Sequence, residues 1–310
     1  MPIRIIFLGT PEFACPFLQA LSDESTFDVV QVITQPDKPV GRGKKLTSPP
    51  VKDLAKKLKI PVIQPLDINS DFKLQATSYK LPADFLVVVA YGQILSKEVL
   101  ALPKIAPVNV HASLLPRWRG ASPIEHSILA GDTETGITIQ RMVPELDAGP
   151  ILAKERTTVA PRETRITLAE KMMIIGPKRL IETLKGPIHE TPQDESGVTV
   201  CKKLTREMGI VDPEIMTAEE IDRRVRALVP WPGVVIDNLC HAERSESADE
   251  RRRSTQQGEQ IKLIETSLEP DSNALPIRCA KDTTLYILKL QAPTKKVMTG
   301  AEWGRGHDIQ

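Results

Sequence analysis

The sequence predicts an α/β protein, with a doubly wound, mostly parallel sheet of Rossmann-like type followed by a small β-barrel of OB type. Short apolar runs alternate with amphipathic stretches through the first 184 residues, a pattern typical of βαβ units. The run 83–90 is almost wholly apolar, as expected of a strand that is covered on both faces. A series of short apolar runs after residue 233 indicates the barrel.

The first predicted domain covers residues 1–188 and contains seven strands and four helices. Its strands are predicted at 3–8, 27–34, 61–64, 83–90, 107–114, 137–142 and 151–159. Its helices are predicted at 13–21, 51–58, 123–130 and 167–184. The last two strands can pair antiparallel across the turn Asp147–Pro150, whereas the others fit a parallel sheet.

A linker is predicted at 189–207, where prolines, glycine and acidic residues replace the apolar pattern. The second domain, 208–310, begins with a helix at 217–228 that Thr217 can cap. Its strands are predicted at 234–239, 260–264, 277–280 and 284–290. The intervening stretch 241–258 is so polar that we expect an exposed, mobile insertion.

Composition excludes several classes of protein. The chain has 310 residues, of which 41% are hydrophobic and 26% charged, so it can build two cores and is not a disordered protein. No apolar run reaches the roughly 18 residues of a membrane span, and no signal peptide is visible, so we expect a cytoplasmic protein. Four scattered cysteines without a C-x-x-C pair predict neither a metal site nor a disulfide framework. With a net charge of +1, any contact with nucleic acid must come from local basic patches.

A nicotinamide cofactor is not expected, although the sheet is of the type that binds dinucleotides. The first strand ends at Gly9, and Pro11 and Glu12 follow where a phosphate-binding turn needs further glycines. A P-loop pattern is also lacking.

Two polar segments are candidates for a catalytic site. Asn109 and His111 lie two residues apart on a predicted strand, so their side chains point to the same side, near the end where open α/β sheets bind ligands. An amide beside an imidazole can donate hydrogen bonds to an oxygen that becomes negative. Asp147 follows in a tight loop with Gly149 and Pro150. Taken alone, the first segment is equally compatible with a turn asparagine and a satisfied core histidine, and Asp147 alone is better explained as a turn-forming residue.

Together the two segments resemble the folate-dependent formyltransferases, which have an Asn-x-His strand, a Ser-Leu-Leu-Pro turn, an Arg-Gly pair and an Asp-x-Gly loop. The resemblance covers nearly the whole chain outside 241–258. Its more specific features are 7–14 (FLGTPEFA), the loop 34–50 and 226–233 (RALVPWPG), which resemble the members that formylate initiator methionyl-tRNA. The sequence departs from the family pattern at Glu125-His126, because the first of these two positions is more often glutamine in the family.

The resemblance implies roles for particular residues. Asn109, His111 and Asp147 would be the catalytic trio, with the first two stabilising an oxyanion and the carboxylate orienting the imidazole and accepting a proton. The implied folate-binding residues are Tyr91, Gly92, Ser113, Leu114, Leu115 and Pro116. The implied tRNA-binding residues are Arg42, Lys44 and Lys45, and Lys202, Lys203 and Arg206 could extend their basic track.

The resemblance also implies partners and leaves alternatives. The co-substrate would be 10-formyltetrahydrofolate without a metal, and the acceptor initiator methionyl-tRNA, bound by a protein that we expect to be monomeric. A sugar- or nucleotide-amine formyltransferase would use the same trio, and a formyltetrahydrofolate hydrolase would use water as the acceptor. A non-catalytic RNA-binding module is a further alternative, disfavoured by the intact trio.

Overall fold

The computed structural model describes residues 1–41, 43–70, 83–237 and 260–305. The described chain divides into two compact units. The first comprises 1–123, 133–159 and 166–201, and the second comprises 124–132, 160–165 and the residues after 201. Arg42, which the sequence analysis assigned to tRNA binding, and the predicted insertion 241–258 lie outside the described residues.

A seven-stranded sheet forms the centre of the first unit. Its strands run in the order β5-β2-β1-β6-β7-β9-β10, in which the first five are parallel, β9 is antiparallel to β7, and β10 is antiparallel to β9. The strands of this unit are β1 (Ile3–Gly9), β2 (Phe27–Ile33), β3 (Lys38–Val40), β4 (Lys45–Thr47), β5 (Val62–Ile63), β6 (Phe85–Val89), β7 (Ala106–His111), β8 (Arg119–Gly120), β9 (Glu134–Arg141), β10 (Ile151–Thr158) and β11 (Val200–Cys201). The doubly wound prediction and the antiparallel pair at its end are confirmed.

The interior of this sheet is apolar because its central strands are covered on both faces. All five residues of β6 are buried, and Ile5, Phe7 and Leu8 of β1 are completely inaccessible to solvent. The chain leaves β1 toward β2 on one side and reaches β6 on the other, so the sheet reverses its winding between β1 and β6. Ligand sites of open α/β sheets lie beside such a reversal, at the carboxyl ends of the strands.

Five of the described helices lie close to predicted positions, whereas α3 and α7 were not predicted. They are α1 (Cys15–Asp23), α2 (Pro50–Lys57), α3 (Lys97–Leu100), α4 (Pro123–Ala130), α5 (Arg165–Lys185), α6 (Ala218–Leu228) and α7 (Gly300–Arg305). Thr217 caps α6 as predicted: its hydroxyl accepts from the Glu220 N–H, and the Glu220 carboxylate accepts from the Thr217 N–H.

The second unit is built on a mainly antiparallel sheet. Its strands are β12 (Ile210–Val211), β13 (Val234–Asp237), β14 (Gln260–Ser267), β15 (Leu275–Cys279), β16 (Thr283–Gln291) and β17 (Met298–Thr299). Strand order is β12-β13-β14-β16-β15, and β17 pairs with β16. Buried and exposed residues alternate along β15, so one of its faces packs against the core. A C-terminal sheet is therefore confirmed, whereas its closure into a barrel stays a prediction.

The division of the chain differs from the predicted domains and linker. Residues 189–201 belong to the first unit, because β11 pairs in parallel with β8 and Arg119 N–H donates to the Thr199 carbonyl. Two segments from within 1–188, namely 124–132 and 160–165, belong to the second unit. Arg165 Nε joins these segments by donating to Glu125 Oε1 at 3.1 Å, a contact that composition alone does not reveal.

Candidate active site

A cleft lies where β6, β7 and β9 end, within the first unit. It encloses about 540 Å³, part of which is open to solvent. Its walls are mostly apolar, with amide and carboxylate groups at one side; the lining residues are Gln93, Ile94, Leu95, Leu100, Asn109, Gln140, Met142, Val143, Pro144, Glu145, Leu146, Asp147 and Gly149. Such a cleft suits a small ligand with an aromatic or apolar body and a few polar groups.

The three predicted catalytic residues meet beside this cleft. Asn109 Nδ2 donates to Asp147 Oδ1 at 3.3 Å, and His111 Nδ1 lies 3.6 Å from the same oxygen. The side chains of His111 and Asp147 are nearly buried, with 6% and 8% of their surfaces exposed. Residues 38 positions apart along the chain are therefore brought together, as the trio requires.

Asp147 is held by neutral donors on both carboxylate oxygens. Gln140 Nε2 donates to Oδ1 at 2.9 Å, and the Gly120 N–H donates to Oδ2 at 2.9 Å. The backbone of Asp147 has a φ of 52°, in the left-handed region that aspartate tolerates better than most residues. Gly149 permits the turn, because a Cβ there would lie 1.8 Å from the Arg141 carbonyl oxygen.

The hydrogen bonds of His111 define where its protons lie. Nε2 is 2.8 Å from the Trp118 carbonyl oxygen, which can only accept, so Nε2 carries a proton. Nδ1 therefore faces the Asp147 carboxylate, and this contact is attractive when Nδ1 also carries a proton. Trp118 itself has a φ of 64°, which turns its carbonyl toward the ring. The imidazole is thus fixed through Nε2, with Nδ1 directed at the Asp147 carboxylate.

The sequence analysis missed the groups that hold the trio in place. Gln140 lies directly opposite Asn109 in the pairing of β7 with β9, so its amide reaches the same carboxylate. The contributions of Trp118 and Gly120 come from backbone atoms, which no side-chain pattern reveals. The predicted Arg119-Gly120 pair marks that loop but gives no indication of the Gly120 N–H.

The predicted folate-binding residues divide into two groups. Tyr91 and Gly92 directly precede the cleft residue Gln93, and the Tyr91 carbonyl accepts from Thr10 Oγ1 at 2.8 Å. Ser113 to Pro116 form the turn after β7 and do not line this cleft. Ser113 is fully buried, with its hydroxyl donating to the Arg117 carbonyl at 2.6 Å. Their assignment to folate stays a prediction.

Of the predicted tRNA-binding residues, Lys44 and Lys45 lie on a hairpin. Strands β3 and β4 pair antiparallel around Gly41, which has a φ of 73°. Lys44 and Lys45 are both exposed. Their role in binding RNA stays a prediction.

Other chemistry has little support among the residues described. Burial raises the pKa of the Cys15 and Cys279 thiols to about 11, so both stay protonated and poorly nucleophilic near neutral pH. Within the described ranges, no three His, Cys, Asp or Glu side chains are grouped to hold a metal ion. None of the described helices is long and apolar enough to cross a membrane.

Comparison with known proteins gives the class. The family model for formyl transferases matches residues 3–184, and the model for the formyl transferase C-terminal domain matches residues 203–308. The chain also has the fold of an N-formyltransferase from Helicobacter canadensis, solved in complex with folinic acid and dTDP-3-aminofucose. The TM-score is 0.63 at 15% identity, over 94% of this chain and all of that one. Fold and family models together define a formyl transferase.

Relatives with higher sequence identity show which family of formyl transferases the chain belongs to. The methionyl-tRNA formyltransferase of Magnetococcus marinus is 41% identical over 322 aligned residues, which cover 99% of this chain and 96% of the relative. That of Paramagnetospirillum magneticum is 40% identical, over 99% of this chain and 98% of the relative. The chain belongs to the methionyl-tRNA formyltransferase family.

Proposed function

We propose that the chain transfers the formyl group of 10-formyltetrahydrofolate to the α-amino group of methionine on initiator tRNA. The observation that carries this proposal is the meeting of Asn109, His111 and Asp147 beside one cleft. Relatives 40–41% identical over 99% of the chain are named for this reaction.

The formyl donor binds in the cleft beside the trio. Its lining is mostly apolar with a few amide and carboxylate groups, as is usual for small-molecule sites. Apolar side chains such as Leu95, Leu100 and Met142 can enclose a flat ring system, and Gln93 and Gln140 supply polar contacts at its edges. Tyr91 and Gly92 adjoin this wall. Ser113 to Pro116 contribute to folate binding indirectly, by holding the loop that carries the Trp118 carbonyl.

The reaction exchanges one carbon–nitrogen bond for another. The neutral α-amino group attacks the formyl carbon, which gives a tetrahedral intermediate with an oxyanion and an ammonium group. The bond from the formyl carbon to N10 of the folate then breaks, and the proton lost by the ammonium group is delivered to N10. An α-amino group has a pKa of about 7.7–8.0 in model compounds, so part of it is already neutral near pH 7. Stabilising the intermediate is therefore the larger task.

The trio divides this task between two polar donors and one proton acceptor. Asn109 Nδ2 carries two protons, of which one is directed to Asp147, so the other can be donated to the oxyanion. The 3.6 Å distance from His111 Nδ1 to Asp147 is longer than a hydrogen bond, which leaves a proton on Nδ1 available to a reacting oxygen. Asp147 accepts the ammonium proton and keeps the imidazole oriented.

The hairpin of β3 and β4 supplies cations for the acceptor RNA. Lys44 in the turn and Lys45 at the start of β4 are exposed, and both follow Arg42 in the sequence. Cations on a short loop suit the phosphate backbone of RNA, since such contacts fix position without reading sequence. Lys202, Lys203 and Arg206 are further cations that we assign to RNA binding.

One assay separates the candidate reactions. The protein is incubated with 10-formyltetrahydrofolate and, in separate arms, methionyl initiator tRNA, an amino-sugar nucleotide, glycinamide ribonucleotide or no acceptor. We expect formylmethionyl-tRNA as the main product. A faster release of formate without an acceptor, or preferential formylation of a small amine, would overturn the proposal.

Asn109→Ala tests the mechanism within the same assay. Loss of one oxyanion donor is expected to lower single-turnover formylation by about 100- to 1,000-fold. Circular dichroism and the melting temperature should stay close to those of the unmodified protein, because Asn109 is only partly buried. Near-normal turnover would remove Asn109 from the proposed oxyanion site.

A further inference from the structure

Gln193 lies in the stretch that the sequence assigns to a linker, yet its side chain is buried, with 9% of the residue exposed. It follows Thr191, which pairs with Ile151 at the start of β10. Both N–H donors and the carbonyl oxygen of its amide group have partners in the first unit. A buried amide with this many directed bonds fixes the groups around it.

The amide joins two loops. Gln193 Nε2 donates to the Asp147 carbonyl oxygen at 2.8 Å and to the Gly149 carbonyl oxygen at 2.7 Å. On its other side, Gln193 Oε1 accepts from Arg119 Nε at 3.0 Å. The first two partners belong to the loop of the catalytic carboxylate, and the third lies next to the Gly120 N–H that donates to Asp147 Oδ2.

The conformation of Asp147 needs such support. Its left-handed backbone is sparsely populated by residues other than glycine, although aspartate adopts it more readily than most, and surrounding contacts hold it. Bonds to the carbonyls of Asp147 and Gly149 fix the turn on both sides of Ala148. The position of the carboxylate follows from that turn, and its direction is set by the donors Gln140 and the Gly120 N–H.

We propose that Gln193 is a positioning residue for formyl transfer: it holds the Asp147 turn in its strained conformation and in register with the loop of Arg119 and Gly120. It does not line the cleft, and therefore acts through Asp147 without touching substrate. This inference rests on the proposed function only in that Asp147 serves the reaction.

The principal test replaces the amide by a thioether of similar length. In Q193M, kcat for formylation should fall about 10- to 100-fold, the effect of displacing a catalytic group by a fraction of its working distance, while KM for the tRNA stays unchanged. The matched control is Q31M, because Gln31 is equally buried and its Nε2 donates to the Pro61 carbonyl at 2.8 Å, away from the trio. Q31M should keep the wild-type kcat. Equal rates for the two variants would overturn the proposal.

A double-mutant cycle distinguishes positioning from general support of the fold. If Gln193 acts through Asp147, Q193M should cause no further loss of kcat in a D147N background. If the loss of kcat in the double variant equals the product of the two single losses, Gln193 has a purely structural role. Q193E keeps the acceptor for Arg119 but places a carboxylate against two carbonyls, so it should be at least as impaired as Q193M. If Q193M does not fold, Q193E is used for the test in its place. A wild-type rate in Q193E would overturn the proposal.

Ring-labelled ¹⁵N histidine provides a readout that needs no substrate. The His111 signals are identified as those missing from H111Q, and they should shift in Q193M but not in Q31M. If the wild-type protein formylates nothing, the proposed function fails, whereas the His111 signals still report whether Gln193 positions the trio. Identical His111 signals in all of these folded proteins except H111Q would overturn the positioning role.

Discussion

Two buried aspartates, one in each unit, are held in opposite ways. Asp222 in α6 has 1% of its side chain exposed and is held by two guanidinium groups: Arg162 Nη1 at 2.8 Å and Arg226 Nε at 2.7 Å. Asp147 is almost as buried, but its hydrogen bonds come from the neutral amides of Asn109 and Gln140 and from the Gly120 N–H. Its titratable neighbour is the imidazole of His111.

The difference separates a carboxylate that supports the fold from one that can do chemistry. Asp222 is paired with two permanently charged guanidinium groups, and a further bond from Thr266 Oγ1 completes its coordination. Neutral donors orient Asp147 without cancelling its charge, and the cleft leaves it within reach of a ligand. Burial alone would not have told the two apart.

The largest expected effect on rate comes from exchanging each carboxylate for an amide. D147N should lower single-turnover formylation by about 100- to 1,000-fold, because the proton acceptor and the orientation of His111 are both lost. D222N, compared per folded molecule in the same assay, should keep the wild-type rate. A comparable loss of rate in both variants would remove the distinction between the two aspartates.

For stability the order of the two aspartates should be reversed, with the larger effect at Asp222. D222A leaves Arg226 without its buried partner, and we expect the free energy of unfolding of the second unit to fall by about 3 kcal/mol. This is the lower end of the range for a broken buried pair, since half of the Arg162 side chain is exposed. Urea unfolding measures the change. E265A, which removes a surface pair with Lys289, should cost less than about 1 kcal/mol and serves as the control.

Exposed cations form a third kind of charged site, with an effect that depends on salt. Replacing Lys44 and Lys45 by alanine should raise KM for the tRNA. The slope of log affinity against log salt concentration should become shallower by about one for each phosphate that the lysines no longer neutralise. The rate at saturating tRNA should not change. Lys97 and Lys178 are also exposed, so the double variant K97A/K178A removes the same charge elsewhere. Equal effects of the two double variants would leave the hairpin without a specific role.

The smallest effect is expected at the start of α6. T217A removes the cap and should lower the free energy of unfolding by about 1 kcal/mol.

The hydrogen bond from the Thr217 N–H is the largest cause that lowers the pKa of Glu220 below its ordinary 4.5. The contribution of Glu220 is therefore complete above the unfolded-state pKa and is lost as the pH falls through the lower folded-state value. Unfolding at pH 7 and at acidic pH should show the penalty of E220Q shrinking in acid.

Much of the fold could be read from the sequence because burial leaves a regular pattern. The strand Phe85–Val89 was predicted from its continuous apolar run, and the start of α6 from Thr217 followed by Glu219 and Glu220. The attachment of 189–201 to the first unit was not predicted. These residues bury few apolar side chains, and they are held by backbone pairing of β11 with β8 and by polar bonds such as those of Gln193, which leave no apolar pattern.

By itself the sequence predicted the order of most elements, because periodicity is a local property of the chain, and its resemblance to the folate-dependent formyltransferases implied the trio of Asn109, His111 and Asp147. Only the tertiary structure decided that Gln140, Gln193, the Gly120 N–H and the Trp118 carbonyl surround that trio. The reason is physical: hydrogen bonds between segments depend on strand register and on backbone direction, and neither is encoded in the type of a single residue.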